Sequence, residues 1–198
     1  KKLLDQLAKV NLLSSNYFTW HQPSESYHYK PDLFDEDHYI WKHWNPVQTY
    51  LEGTTWDQYA PPPEMSRCVI DVVTESFLHC PFLTEKSWNA IISKKPFIIL
   101  GNVGIHRHLE SLGFRLPTQI NYAFDSVQDI DMRIKMIVDE LCRLSTKDLY
   151  ELHESMQDIT EYNYQRAIDI VKNEKHSHHV KTHYAKVITR ARKKANEL

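Results

Sequence analysis

The chain has 198 residues, 41% of them apolar and 25% charged, with 12% aromatics and a formal net charge of −2. These values suit one domain, or one domain with an appendage, and exclude disorder throughout; a near-neutral chain is not a bulk electrostatic binder of nucleic acid. Cys68, Cys80 and Cys142 lie far apart with no CxxC pair, which argues against a disulfide framework or a cysteine metal site and for a reducing, cytoplasmic compartment.

No apolar run approaches the ~18 residues of a membrane-spanning helix, so no membrane partner is expected. A helical pattern already runs at Lys1, with Leu3, Leu4, Leu7 and Val10 near helical spacing, no initiating Met and no signal-peptide pattern; a start inside a longer chain is the expectation. Residues 17–66 are rich in Tyr, Trp, His, Asp and Pro, and end in Pro61–Pro63. They read as long irregular aromatic-anchored loops closed by a stiff extended segment. The segment 1–66 is thus a first region, 67–126 an α/β lobe and 127–198 a helical extension.

From residue 67 strands and helices alternate. The β-branched run from Cys68 to Val73 predicts a strand. Thr84 to Lys95 predicts a helix, with Thr84 as N-cap, Glu85 in the first turn, and Trp88, Ile91 and Ile92 as one apolar stripe. Pro96 to Gly101 is apolar at nearly every position, as in a parallel strand covered on both faces. A short helix over Ile105 to Leu112 stops at Gly113, a natural left-handed cap. Together these make a βαβ unit of a parallel sheet. Beyond Val127 the chain is predicted helical, interrupted at Ser145–Thr146, with a last helix from about Val180 to Ala195.

Ligands of open α/β sheets bind beyond the carboxyl ends of the strands. Glu75, the start of the Thr84 helix and the Gly101–Asn102 turn all reach that edge. The helix start offers N–H donors and a partial positive charge to a phosphate, and Lys86 adds a full charge. Glu85 suits hydrogen bonding to a vicinal diol such as a ribose, whereas Asn102 with Gly104 reads first as a simple turn, with a phosphate loop as the alternative. No metal is required if Lys86 and the helix end carry the diphosphate.

At these residues the sequence resembles the α-1,3-fucosyltransferases and related viral and bacterial glycosyltransferases. Their motif runs Glu-Asn-Ser, then Tyr-Ile-Thr-Glu-Lys-Leu-Trp, a helix, and an apolar strand ending Leu-Gly. Glu75, Thr84, Glu85, Lys86, Trp88 and Leu100-Gly101 fall in register with it. The likeness covers about residues 67–115 and is closest to phage and giant-virus members. It implies the C-terminal, Rossmann-like lobe of a GT-B enzyme that passes a sugar from a nucleotide diphosphate to a hydroxyl acceptor. Glu85 would hold the donor ribose, Lys86 the diphosphate, and Glu75 would stand near the donor sugar or the lobe interface. Ser76 stands where the family has Asn and Pro81 where Asp is common, and no acceptor lobe is recognisable in residues 1–66. No catalytic base is assigned; His21, Asp35 and Asp37 are placeholders.

Three further features have plainer readings. His176, His178, His179 and His183 resemble a metal cluster but lack the intervening Glu of a zinc helix, and read as a solvated polar face. His106 and His108 flank Arg107 and read as surface residues. The tail from Lys172 to Lys194 is basic, a possible nucleic-acid contact, though such faces are more often simply solvated. The alternative to a transferase is a structural or interaction protein, virion-associated if viral, that keeps the lobe without catalysing transfer.

Overall fold

A computed structural model describes residues 2–13, 67–75, 78–79 and 81–173. The expectations for 17–66, for Ser76 and Cys80, for His21, Asp35 and Asp37, and for the histidines and basic helix beyond residue 173 lie outside these residues. The chain divides into two compact units, Lys1–Trp56 and Asp57–Leu198. The second holds both the α/β segment and the described part of the helical extension.

In the first unit, α1 (Lys2–Lys9) buries Leu3 and Leu7, an i, i+4 pair on one face. In the second, β1 (Asp71–Thr74) pairs in parallel with β2 (Phe97–Leu100), setting Asp71 against Phe97 and Thr74 against Leu100. The ladder extends at both ends, through Asp71 N–H to Pro96 O (2.9 Å) and Glu75 N–H to Leu100 O (3.0 Å). Among the described residues the sheet has these two strands, and the architecture is α/β with helices packed around a small parallel sheet. β1 begins three residues later than the Cys68 run suggested. Every residue of β2 is buried, as an uninterrupted apolar run requires.

Between the strands lies α2 (Glu85–Ile92), with Thr84 as its N-cap. It ends before Lys95 because Lys94 turns left-handed (φ 53°). Lys95 N–H then reaches Ala90 O (2.9 Å) and Lys94 N–H reaches Ile91 O (3.1 Å), the Schellman pattern. A lysine in the left-handed region is strained. Its ammonium, 2.6 Å from Glu161 Oε2 and over the Tyr164 ring, ties this helix end to α6.

After β2 comes α3 (Ile105–Ser111). It closes by the same pattern on Gly113 (φ 88°), with Phe114 N–H on Leu109 O and Gly113 N–H on Glu110 O. A 3-10 turn over Ala123–Ser126 leads to α4 (Ile130–Ser145), capped by Asp129, then α5 (Leu149–Glu154), capped by Asp148, and α6 (Gln157–Asn173). The break at Ser145–Thr146 is present, and a second falls at Ser155–Met156, where Met156 is fully buried.

Helix α6 packs against α2 and clamps the end of α3. Asn163 accepts from Arg115 N–H and donates to Arg115 O, both at 2.8 Å, while Arg166 Nε donates to Leu112 O at 2.7 Å. Val73, Trp88, Ile91, Phe97, Ile99, Leu109 and Ile170 share one core. No helix among the described residues is long and apolar enough to cross a membrane.

Candidate functional site

The edge beyond the carboxyl ends of β1 and β2 is built from three segments, each held by a side chain from elsewhere. The first is the start of α2. Glu75, just past β1 and 6% exposed, turns its carboxylate onto this helix. Oε1 accepts from Thr84 N–H (2.9 Å) and from the Ser87 hydroxyl (2.5 Å), and Oε2 accepts from the Thr84 hydroxyl (2.7 Å). Thr84 Oγ1 in turn accepts from Lys86 N–H at 3.3 Å. A carboxylate at a helix N-terminus is favoured by the unpaired N–H groups and the macrodipole. Here it comes from nine residues upstream and fastens strand to helix.

The brace buries Glu75 and Ser87 and leaves Thr84, Glu85 and Lys86 partly exposed. The Glu85 and Lys86 side chains are 22% and 39% exposed and form an ion pair at 3.3 Å, with Lys86 Nζ also 3.4 Å from Thr84 Oγ1. Glu75 is therefore a positioning residue in this fold, bonded to the cap rather than offered to solvent.

The second segment is the turn from Gly101 to Gly104. Its backbone is held on two sides: Gly101 O accepts from Arg133 Nη1 of α4 at 2.6 Å, and Gly104 N–H donates to Asp125 O at 2.8 Å. Asn102 is buried and donates through Nδ2 to Val103 O (2.8 Å).

The third is the start of α3, where the Asp125 carboxylate accepts from His106 N–H and Arg107 N–H, each at 3.2 Å. The N–H groups that a phosphate would use at this turn are thus given to an internal carboxylate.

His106, read from sequence as a surface residue, is 1% exposed. Its Nε2 accepts from Ile99 N–H (3.1 Å) and its Nδ1 lies 2.8 Å from Asp125 Oδ1. A ring nitrogen that accepts from an amide carries no proton, so Nδ1 bears it and donates to the carboxylate: the neutral tautomer satisfies both partners. Phe97, Tyr122 and Phe124 pack around the ring. His106 is a core linker of β2, α3 and the 3-10 turn.

Burial pushes the Asp125 carboxyl up, but its bonds to His106 and the helix N–H groups outweigh this and hold it below the ordinary value. Burial lowers the Arg133 guanidinium, and the charge of Asp125 works against that lowering. At the opposite end of the strands, burial raises Asp71 to about 6 despite Lys95 nearby, and burial lowers Lys95.

Sequence reasoning found Thr84, Glu85, Lys86, Gly101 and Asn102 at one edge and missed Asp125 and Arg133, which hold that edge together. Two open grooves lie elsewhere. The larger, about 800 Å³, runs between Gln119, Arg143, Lys147, Glu151 and Ser155, and the smaller lies beside Phe124 and Met136. Among the described residues no group of three or more His, Cys, Asp or Glu side chains could hold a metal ion. Compared with family models, curated proteins and solved structures, the chain gives no match.

Proposed function

We propose that the second unit is the nucleotide-sugar-binding, Rossmann-like part of a glycosyltransferase-like protein, with the start of α2 as its donor grip. The observation that supports this most directly is the Glu75 brace. Three hydrogen bonds fix the first turn of α2 at the carboxyl edge of the sheet, so that Glu85 and Lys86 project together from a rigid base.

Glu85 supplies two acceptor oxygens for the vicinal hydroxyls of a ribose. Lys86, one residue on, supplies a mobile cation for the diphosphate. Their mutual ion pair is exposed enough to contribute under about 1 kcal/mol, so a ligand can displace it. In transfer to a hydroxyl acceptor, Lys86 would stabilise the departing nucleoside diphosphate, whose charge grows in the transition state.

A second reading is favoured by one observation: Glu75 and Asp125 already take N–H groups at the starts of α2 and α3. A phosphate finds less backbone to bind than a bare helix end offers, as suits an interaction protein in which Glu85–Lys86 is a surface ion pair.

A thermal-shift screen with GDP-, UDP-, ADP- and CMP-sugars separates the two, because a ligand of the folded state alone raises the melting temperature. The donor reading expects a rise with one class of sugar nucleotide, and at least a tenfold loss of affinity in Lys86→Ala. No rise with any of the four, or unchanged affinity in a folded Lys86→Ala, overturns it.

A further inference from the structure

Two buried polar atoms at the turn after β2, one on the turn and one reaching it from α4, have no hydrogen-bond partner. Asn102, 6% exposed, has its Oδ1 unpaired; Arg133, 4% exposed, has its Nε unpaired. The Asn102 orientation is fixed, because Nδ2 donates to Val103 O at 2.8 Å and a flipped amide would set oxygen against oxygen. Arg133 is fixed by its 2.6 Å bond to Gly101 O. Leaving such a group unsatisfied is costly, and folded proteins keep few of them.

The two atoms are complementary in kind. One is an acceptor in need of a donor and the other a donor in need of an acceptor, and both side chains bond carbonyls of the same turn, Val103 O and Gly101 O. A hydroxyl both donates and accepts; a phosphate oxygen only accepts. Charge gives an anion no advantage, since the Asp125 carboxylate near Arg133 offsets the guanidinium's own positive charge.

The turn also abuts the donor grip. A Cβ placed on Gly101 would lie 3.7 Å from Glu75 Cβ, the side chain that braces α2. Beside Gly104 (φ 79°) a Cβ would meet nothing within 4 Å, so this end of the turn faces open space.

We propose that the Gly101–Asn102 turn is a hydroxyl-reading subsite, in which Asn102 Oδ1 accepts from, and Arg133 Nε donates to, one hydroxyl of the sugar carried by the nucleotide. This rests on the donor reading above and adds to it a division of labour: Lys86 reads charge, the turn reads the neutral sugar.

The test is calorimetric, with GDP-, UDP- and ADP-hexoses, the matching bare diphosphates and mono-deoxy hexose analogues as probes. For the nucleotide that binds, Lys86→Ala should weaken sugar nucleotide and bare diphosphate alike, by tenfold or more. Asn102→Ala should weaken the sugar nucleotide five- to tenfold and the bare diphosphate less than twofold. On the unaltered protein, where folding of a variant is not at issue, one deoxy position should cost five- to tenfold, and that penalty should vanish in Asn102→Ala.

If the unaltered protein binds bare diphosphate and sugar nucleotide equally, or no deoxy position matters, the subsite is overturned while the donor reading stands. Equal weakening of both ligand types by Asn102→Ala overturns it as well, and marks the turn as an anion contact or the seat of a structural water. Binding of neither ligand class to the unaltered protein overturns the donor reading and the subsite with it.

Discussion

Glu75 holds Thr84 twice over, one carboxylate oxygen on the backbone N–H at 2.9 Å and the other on the hydroxyl at 2.7 Å. The N-cap is itself capped. A cap side chain ordinarily serves its own helix; here it is also the point where a strand end and a helix start are fastened across nine residues.

Removing that carboxylate should therefore destabilise the fold rather than merely lower ligand affinity. Glu75→Ala leaves the buried Ser87 hydroxyl and the Thr84 N–H without their acceptor and should cost about 2–4 kcal/mol. Glu75→Gln keeps one acceptor oxygen and should cost less than half as much. Urea unfolding of both variants measures this; a Glu75→Ala midpoint indistinguishable from the parent would show that the brace contributes nothing.

Asp71 gives the fold a pH signature. Burial raises its carboxyl from 3.8 to about 6 in the folded protein, so the ionised form is the disfavoured one. Its contribution is most favourable below pH 4, declines as pH rises towards 6 and is fully unfavourable above that. Asp71→Asn should stabilise the protein at pH 7 by about 2 kcal/mol, short of the full equivalent of that shift because the residue is only half-buried. At pH 3.5 it should change little. Thermal melts of both proteins at the two pH values check the sign; equal gains at both would exclude the carboxyl as the cause.

Gly113 is irreplaceable on two counts. Its φ of 88° suits glycine, and an added Cβ would lie 2.7 Å from Arg166 Nε, the donor to Leu112 O. Gly113→Ala should cost about 1–3 kcal/mol. Combined with Arg166→Ala the loss should be less than additive, because one clash is removed with the side chain. Strict additivity in denaturant melts would leave backbone strain as the sole cause.

What could be read from the sequence was local. Thr84 as a cap, Gly113 as a stop, the buried run of β2 and the pause at Ser145–Thr146 each depend on residues within a few positions, and each is present. The rim was legible only as a set of neighbours. Its supports come from 9, 19 and 32 residues away: Glu75 on Thr84, Asp125 on His106 and Arg133 on Gly101. No periodicity marks such pairs, because the bond forms only once the chain has folded back. His106 shows the failure most plainly. A histidine between Ile105 and Arg107 reads as solvated until Ile99 N–H and Asp125 are seen to meet its two nitrogens. The left-handed Lys94 escaped for a related reason, since its ion-pair partner Glu161 lies on a helix far along the chain.

The internal carboxylates at the starts of α2 and α3 bear on how a guest would come and go. Where backbone donors are already matched from within, as at Thr84, His106 and Arg107, fewer peptide groups remain for a ligand to bind. Recognition then falls to protruding side chains, and departure strands no peptide group behind.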